Sequence, residues 1–306
     1  MKKIIVWLAV MMYTLSGYAQ DANFHIYLCL GQSNMEGNAK VEEQDTVAVD
    51  SRFQVLAAVD CPNLGRIKGN WYKAVPPLAR CYTGLTPGDY FGRAMVANLP
   101  SNVRVGIINV AVGGCKIELF DKDNYQSYVE TSPDWLKNMV KEYGGNPYAR
   151  LVEMAKLAQK DGVIKGILLH QGESNTNDKD WPSKVKGVYD NLLKDLGLSA
   201  ANVPLLAGEV VHADQNGICA SMNTIIDSLP QVIPTAHVIS SAGCPAAFDN
   251  LHFTAEGYRI LGARYAAKML SILGYGDWTS AQNMKLWYAR PAQDWLEALP
   301  LGNSRL

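Results

Sequence analysis

Five short, almost unbroken apolar runs, separated by segments of helical periodicity, constrain this chain more than any other feature. "HIYLCL" (25–30), "VRVGIINV" (103–110), "VIKGILLH" (163–170), "VPLLAGEVV" (203–211) and "AHVISS" (236–241) read as strands. A strand with one face in water alternates apolar and polar residues. Runs that do not alternate belong in a parallel sheet covered on both faces. Between them lie helical patterns at 89–99, 148–160 and 185–196, and a longer one at 255–273 with Thr254 as its N-cap. In the second pattern Leu151, Met154 and Leu157 recur on one face. This alternation predicts one α/β domain, a three-layer α/β/α sandwich around a mainly five-stranded parallel sheet of flavodoxin-like type. Two stretches fall outside the rhythm. Residues 40–88, with prolines, glycines and Trp71, and residues 120–147, with several tyrosines and Trp135, read as long ordered insertions on the rim.

Composition narrows the function classes. With 306 residues, 48% of them hydrophobic, the chain can bury a large core. A net charge of -1 and no long run of like charges argue against nucleic-acid or membrane-surface partners. Residues 1–20 differ from the rest: Lys2 and Lys3, an apolar stretch from Ile4 to Leu15, then the small residues Gly17 and Ala19. That is the pattern of a secretory signal peptide, with an apolar part too short to span a membrane. The mature protein is therefore expected outside the cytoplasm, secreted or periplasmic, without membrane insertion.

Six cysteines then face an oxidising compartment. Cys61 and Cys81 flank a Pro/Gly-rich loop, and Cys219 and Cys244 lie in loop-like stretches, so two bridges are expected, though spacing alone does not give the connectivity. Cys29 reads as a buried free thiol. No His/Cys cluster has zinc-site spacing, so a structural metal is not expected.

Polar residues gather where the apolar runs stop. The first run leads into Gly31-Gln32-Ser33-Asn34, the second to Asn109 and then Gly113-Gly114, and the third to His170-Gln171-Gly172-Glu173. The last leads to Asp249-Asn250-Leu251-His252, ahead of the long helix. In open α/β sheets the site lies beyond the carboxyl ends of the strands. Ser33 needs a base to act as a nucleophile. Of the five histidines, His25 and His237 open strands, and His170 suits core packing as well as site lining. His252 follows Asp249 by three residues, a spacing at which a carboxylate in a turn reaches the imidazole. Acyl transfer also needs donors aimed at an oxyanion. The candidates are the Ser33 N–H, the Gly113-Gly114 pair and the Gln171 amide. Each element alone is commonplace: a turn serine, a glycine pair, a capping aspartate, a strand-end hydrogen-bond network. Their joint occurrence in this order is not.

"GQSNMEG", "VGGCKIE", "HQGESN" and "DNLHFTAEGY" together resemble the ordered blocks of SGNH-type hydrolases, and more narrowly the sialate O-acetylesterase and acetylxylan esterase group, carbohydrate esterase family 6. The resemblance runs from about residue 25 to residue 273, and the G-x-S-x-G elbow of ordinary α/β-hydrolases is absent. It implies a serine esterase with Ser33 as nucleophile, His252 as base and Asp249 as the acid that orients it. Glu173 is an alternative or additional acid partner. Gly113, Gly114 and the Ser33 backbone would line the oxyanion hole, with Gln171 standing where the wider superfamily uses an asparagine, and Gln32 and Asn34 bracing the serine turn. Lys116 occupies a position where relatives carry a small hydroxyl residue, so acceptor specificity does not transfer. The implied partner is an acetylated oligo- or polysaccharide, either plant xylan, xyloglucan or pectin, or 9-O-acetyl sialic acid on host glycans; a non-catalytic glycan-binding relative is the rival class. Residues 286–306, "LWYARPAQDWLEALPLGNSRL", resemble the opening of family 95 glycoside hydrolases, the α-fucosidase group. On that reading 21–275 form the esterase domain, and 276–306 begin a fused glycoside hydrolase domain. The other reading is an extension that packs back on the esterase. Trp71, Tyr72, Tyr82, Tyr125 and Tyr128 suit sugar stacking or, more simply, loop cores.

Overall fold

The computed structural model describes residues 20–276. The expected signal peptide (Gln20 apart) and the segment from 277 onward lie outside the described residues. One seven-stranded sheet organises the chain: β1 (Asp21–Gly31), β2 (Phe53–Leu56), β3 (Trp71–Lys73), β4 (Arg104–Ala111), β5 (Gly162–His170), β6 (Leu205–Gly208) and β7 (Ala236–Ile239). Their order is β3-β2-β4-β1-β5-β6-β7, parallel except for β3, which runs antiparallel to β2 at one edge. The five strands expected from the apolar runs are β1, β4, β5, β6 and β7. The other two come from the 40–88 insertion, where runs of four and three residues are too short to show a period.

The helices are α1 (Ser33–Glu36), α2 (Glu43–Thr46), α3 (Pro87–Asn98), α4 (Tyr125–Thr131), α5 (Asp134–Glu142), α6 (Pro147–Ala158), α7 (Trp181–Leu196), α8 (Asn223–Ile226), α9 (Leu229–Val232) and α10 (Ala255–Ile272). The 120–147 stretch is thus largely helical, in α4 and α5. Helix starts follow local chemistry. The Thr86 side chain accepts from Gly88 N–H while Asp89 accepts from Thr86 N–H, and Pro87 opens the first turn of α3. The Thr254 hydroxyl caps α10 by accepting from Gly257 N–H at 3.1 Å, as expected.

Central β1 sends alternate side chains to two cores. Phe24, Ile26, Leu28 and Leu30 join Leu151 and Met154 of α6 and Val185, Val188 and Leu192 of α7. Tyr27 and Cys29 join Phe91 and Met95 of α3 and Tyr258, Leu261, Tyr265 and Met269 of α10. Each such side chain fully removed from water contributes roughly 1.5–3 kcal/mol, so this central strand is strongly held on both faces. The three-layer sandwich is therefore as expected. Among the described residues no helix is long and apolar enough to cross a membrane.

Cys61 and Cys81 form a disulfide and Cys29 is a buried free thiol. The expected second bridge is absent: Cys219 and Cys244 are both free. Cys219 packs against the α6/α7 core and Cys244 lies in the α3/α10 core, so the two thiols serve opposite faces of the sheet. Of the rim aromatics, Trp71 packs on Phe24 with ring centroids 4.7 Å apart and donates to Asp161 at 2.9 Å. The hydroxyls of Tyr72 and Tyr128 accept from Ile67 N–H (2.8 Å) and Lys116 N–H (3.0 Å). These three serve the loops' own packing.

Candidate active site

The serine turn is built at the carboxyl end of β1, next to the ends of β4 and β5. Gly31 has φ +151°, and a Cβ there would lie 2.0 Å from the His170 carbonyl oxygen, so only glycine lets the two strands end this close together. Gln32 N–H then donates to that same carbonyl at 3.0 Å, and the chain turns into the four-residue α1 with Ser33 first. At a helix start the leading N–H groups have no intrahelical acceptor. Ser33 N–H is one of these.

The histidine arrives from the other end of the chain. Asp249 Oδ1 accepts from the backbone N–H groups of Leu251 and His252, both at 3.0 Å, which folds the loop into an Asx turn. Its other oxygen lies 2.6 Å from His252 Nδ1, and His252 Nε2 lies 2.9 Å from Ser33 Oγ. With Nδ1–H donating a hydrogen bond to the carboxylate, Nε2 is free to accept the serine proton. Burial alone would raise the Asp249 carboxyl. The ring and the two backbone donors outweigh it and hold the group below its usual range.

Asn34 ties these segments together. Its Nδ2 donates to Glu173 Oε1 at 2.5 Å and to the Leu251 carbonyl at 3.1 Å, and its Oδ1 accepts from Tyr258 OH at 2.6 Å. Glu173 therefore meets Asn34, not the imidazole. The structure places Asp249 on His252 and leaves Glu173 one residue removed, its carboxyl raised by burial. Gln171 is also differently placed from the expected open donor. Its Nε2 is committed to Gln32 Oε1 (3.0 Å), Asn175 Oδ1 (2.8 Å) and the Cys115 carbonyl (3.2 Å), while its Oε1 accepts from Trp181 Nε1. It is fully buried, a brace between β5 and its neighbours. Gln32 Oε1 also accepts from Ser174 N–H at 3.2 Å, so Gln32 and Asn34 do brace the turn. His170 belongs to the core: buried, 3.5 Å from Tyr265 OH, its pKa pushed down to about 3 by desolvation.

A cleft of about 370 Å³ opens over Ser33 and His252. Gly113 and Gly114 line it. A Cβ on Gly113 would fall 2.9 Å from a Glu36 carboxylate oxygen and 3.8 Å from Ser33 Cβ, which puts the Gly113 backbone beside the serine. Gly114 has φ +70°, and a Cβ there would lie 2.6 Å from the Trp135 ring.

Three further residues shape this cleft without having been assigned a role from the sequence. Trp135 and Met139 of α5 form one wall. Glu36, one turn after Ser33 on α1, forms part of the floor. Arg80 meets it at 2.6 Å through Nη2 and 3.1 Å through Nε, and also pairs with Glu142. Burial pushes the Glu36 carboxyl up, against the opposing pull of Arg80 and the Gly113 N–H. The i, i+3 spacing of Ser33 and Glu36 was the available signal. Arg80 gave none beyond its place next to a bridged cysteine. Tyr82 and Tyr125 are not among the residues lining the cleft.

A probable carbohydrate esterase of Arabidopsis thaliana is 26% identical over 262 residues, 80% of this chain and 90% of that protein. The crystal structure of an Arabidopsis thaliana protein superposes with a TM-score of 0.62 at 22% identity, covering 82% of this chain and 99% of the other. NanS superposes at 0.59 with 14% identity, covering 82% and 98%. A carbohydrate acetylesterase of Xanthomonas citri superposes at 0.56 with 18% identity, covering 81% and 56%. The family described as carbohydrate esterase, sialic acid-specific acetylesterase matches residues 23–271. The chain belongs to that family and is a carboxylic ester hydrolase of the carbohydrate acetylesterase kind.

Proposed function

We propose that the protein is a serine O-acetylesterase that removes acetyl groups from plant polysaccharide through an acetyl-enzyme. The observation that carries this is the continuous chain from Ser33 Oγ to His252 Nε2 (2.9 Å) and from His252 Nδ1 to Asp249 Oδ2 (2.6 Å). Ser33 Oγ attacks the acetyl carbonyl carbon and its proton passes to His252. The Ser33 N–H, with the Gly113-Gly114 backbone beside it, holds the oxyanion, and Asp249 stabilises the imidazolium. His252 then protonates the departing sugar oxygen. Water, deprotonated by His252, attacks the acetyl-serine, and the ring returns that proton to Ser33 Oγ as acetate leaves.

The resemblance of 286–306 to a fucosidase opening supports a plant-polysaccharide setting. The Cys61–Cys81 bridge, with the leader-like first twenty residues, supports export to an oxidising compartment. The test is acetate release and p-nitrophenyl acetate turnover in Ser33→Ala and His252→Ala, each shown to be folded by circular dichroism. Both are expected to lose activity; turnover retained in either overturns the mechanism. Glycan binding without acetate release from any substrate would point instead to a binding domain.

A further inference from the structure

The carboxylate on the cleft floor joins two segments that the reaction needs in register. Glu36 stands one turn after Ser33 on α1, its side chain 10% exposed. Its two oxygens face different partners. Oε1 accepts from Arg80 Nη2 at 2.6 Å and from Arg80 Nε at 3.1 Å. Oε2 lies against the 113–114 backbone: a Cβ on Gly113 would stand 2.9 Å from it, and the Gly113 N–H favours the charged carboxyl. Arg80 is itself fixed, by Glu142 of α5 and by its place next to Cys81 of the disulfide.

An oxyanion donor is effective when it already stands where the charge will develop. The link after β4 that carries Gly113 and Gly114 is held from the β5 side by Ser174, whose hydroxyl donates to the Gly114 carbonyl at 3.0 Å. Glu36 holds it from the other side and ties it to the helical turn that bears Ser33. With Arg80 balancing its charge, the carboxylate contributes position, through charge-assisted hydrogen bonds of fixed direction. Resting on the esterase reading above, we infer that Glu36, clamped by Arg80, is a positioning residue: it sets the 113–114 backbone against Ser33 and so shapes the oxyanion site.

Glu36→Gln is the test, because the position needs two acceptors. A glutamine turns its NH₂ either against the Gly113 N–H or against the guanidinium. A single oxyanion donor is worth about 10²–10³ in kcat, and a displaced loop forfeits part of that, so kcat for p-nitrophenyl acetate should fall about 30-fold with KM nearly unchanged. Methylboronic acid, whose serine adduct presents a tetrahedral oxygen to the same donors, should bind more weakly by a similar factor. A purely structural role would lower the melting temperature and leave both values alone. Arg80→Lys keeps the charge and loses the two-pronged contact, and should lower kcat by about fivefold. Undiminished kcat in folded Glu36→Gln, or a loss confined to KM, overturns the inference and leaves the esterase reading standing. If that variant does not fold, a crystal structure of the unaltered enzyme's boronate adduct decides. The adduct oxygen should lie within about 3.2 Å of a 113–114 N–H while Glu36 still meets Gly113; an oxygen turned away from that backbone overturns the inference. No p-nitrophenyl acetate turnover by the unaltered protein overturns the esterase reading, and this inference with it.

Discussion

Replacing Asp249 by asparagine removes a charge and no heavy atom, which makes it the sharpest test of how His252 is held. Asp249 now accepts three hydrogen bonds: from Leu251 N–H and His252 N–H on one oxygen, and from His252 Nδ1 on the other. An asparagine keeps the two backbone bonds only by turning its carbonyl oxygen toward them. Its NH₂ then faces Nδ1, which must give up its proton and accept. The ring proton moves to Nε2, where it points at Ser33 Oγ, and the base is lost. Turning the amide over restores the ring contact but sets NH₂ against two N–H donors. The enforced wrong tautomer costs about 10⁴ in kcat, or about 5.5 kcal/mol of barrier. Because the hydrogen-bond count is nearly preserved, the melting temperature should change little. Steady-state kinetics with p-nitrophenyl acetate would place the loss in kcat, not KM. The paired variant Glu173→Gln removes a carboxyl that contacts Asn34 but not the ring, and its loss should be smaller by at least about a hundredfold. A Glu173→Gln loss equal to or greater than that of Asp249→Asn would refute the reasoning.

Three further expectations follow from the geometry. Gly113→Ala sets a methyl 2.9 Å from Oε2 of Glu36, whose other oxygen is bonded to Arg80. The displaced Gly113-Gly114 backbone should lower kcat by about 10² while the fold, measured by melting, survives. Asp89 is fully buried, and desolvation pushes its pKa from 3.8 up to about 8. Its folded value is raised, so its stabilising contribution is complete below the unfolded pKa and is lost as pH climbs toward 8. Urea midpoints should therefore fall across that window, and in Asp89→Asn the fall should flatten. The Cys61–Cys81 bridge spans a sequence separation of 20. Replacing both cysteines by serine should cost about 3 kcal/mol by the loop-entropy relation, read as a lower denaturant midpoint at unchanged slope.

The sheet was legible where its strands are long and covered on both faces, since a run such as 163–170 has no other comfortable home. β2 and β3 were not, because their pairing depends on β4 and Phe24 and not on any pattern of their own. Ser33, Asp249 and His252 were legible because each stands at a strand end or in a local turn whose spacing is itself the chemical signal. Gln171 and Glu173 share the right motif, but side-chain direction decides their roles. Gln171 turns inward to Trp181 and Asn175, and Glu173 to Asn34. The second bridge failed for a reason no spacing reveals: loop cysteines nearby in sequence can descend on different sides of a sheet. Trp135 came unannounced because α5 is brought over the serine only by tertiary packing.

The Asn34 amide joins partners 139 and 217 positions away along the chain. One side chain thus works as a keystone between the serine turn, the end of β5 and the histidine loop. The outer pieces that shape the opening, Trp135 and Met139 of α5, lie outside this hub. New sugar preferences can accordingly be engineered by exchanging those outer pieces, leaving the machinery that breaks the ester untouched.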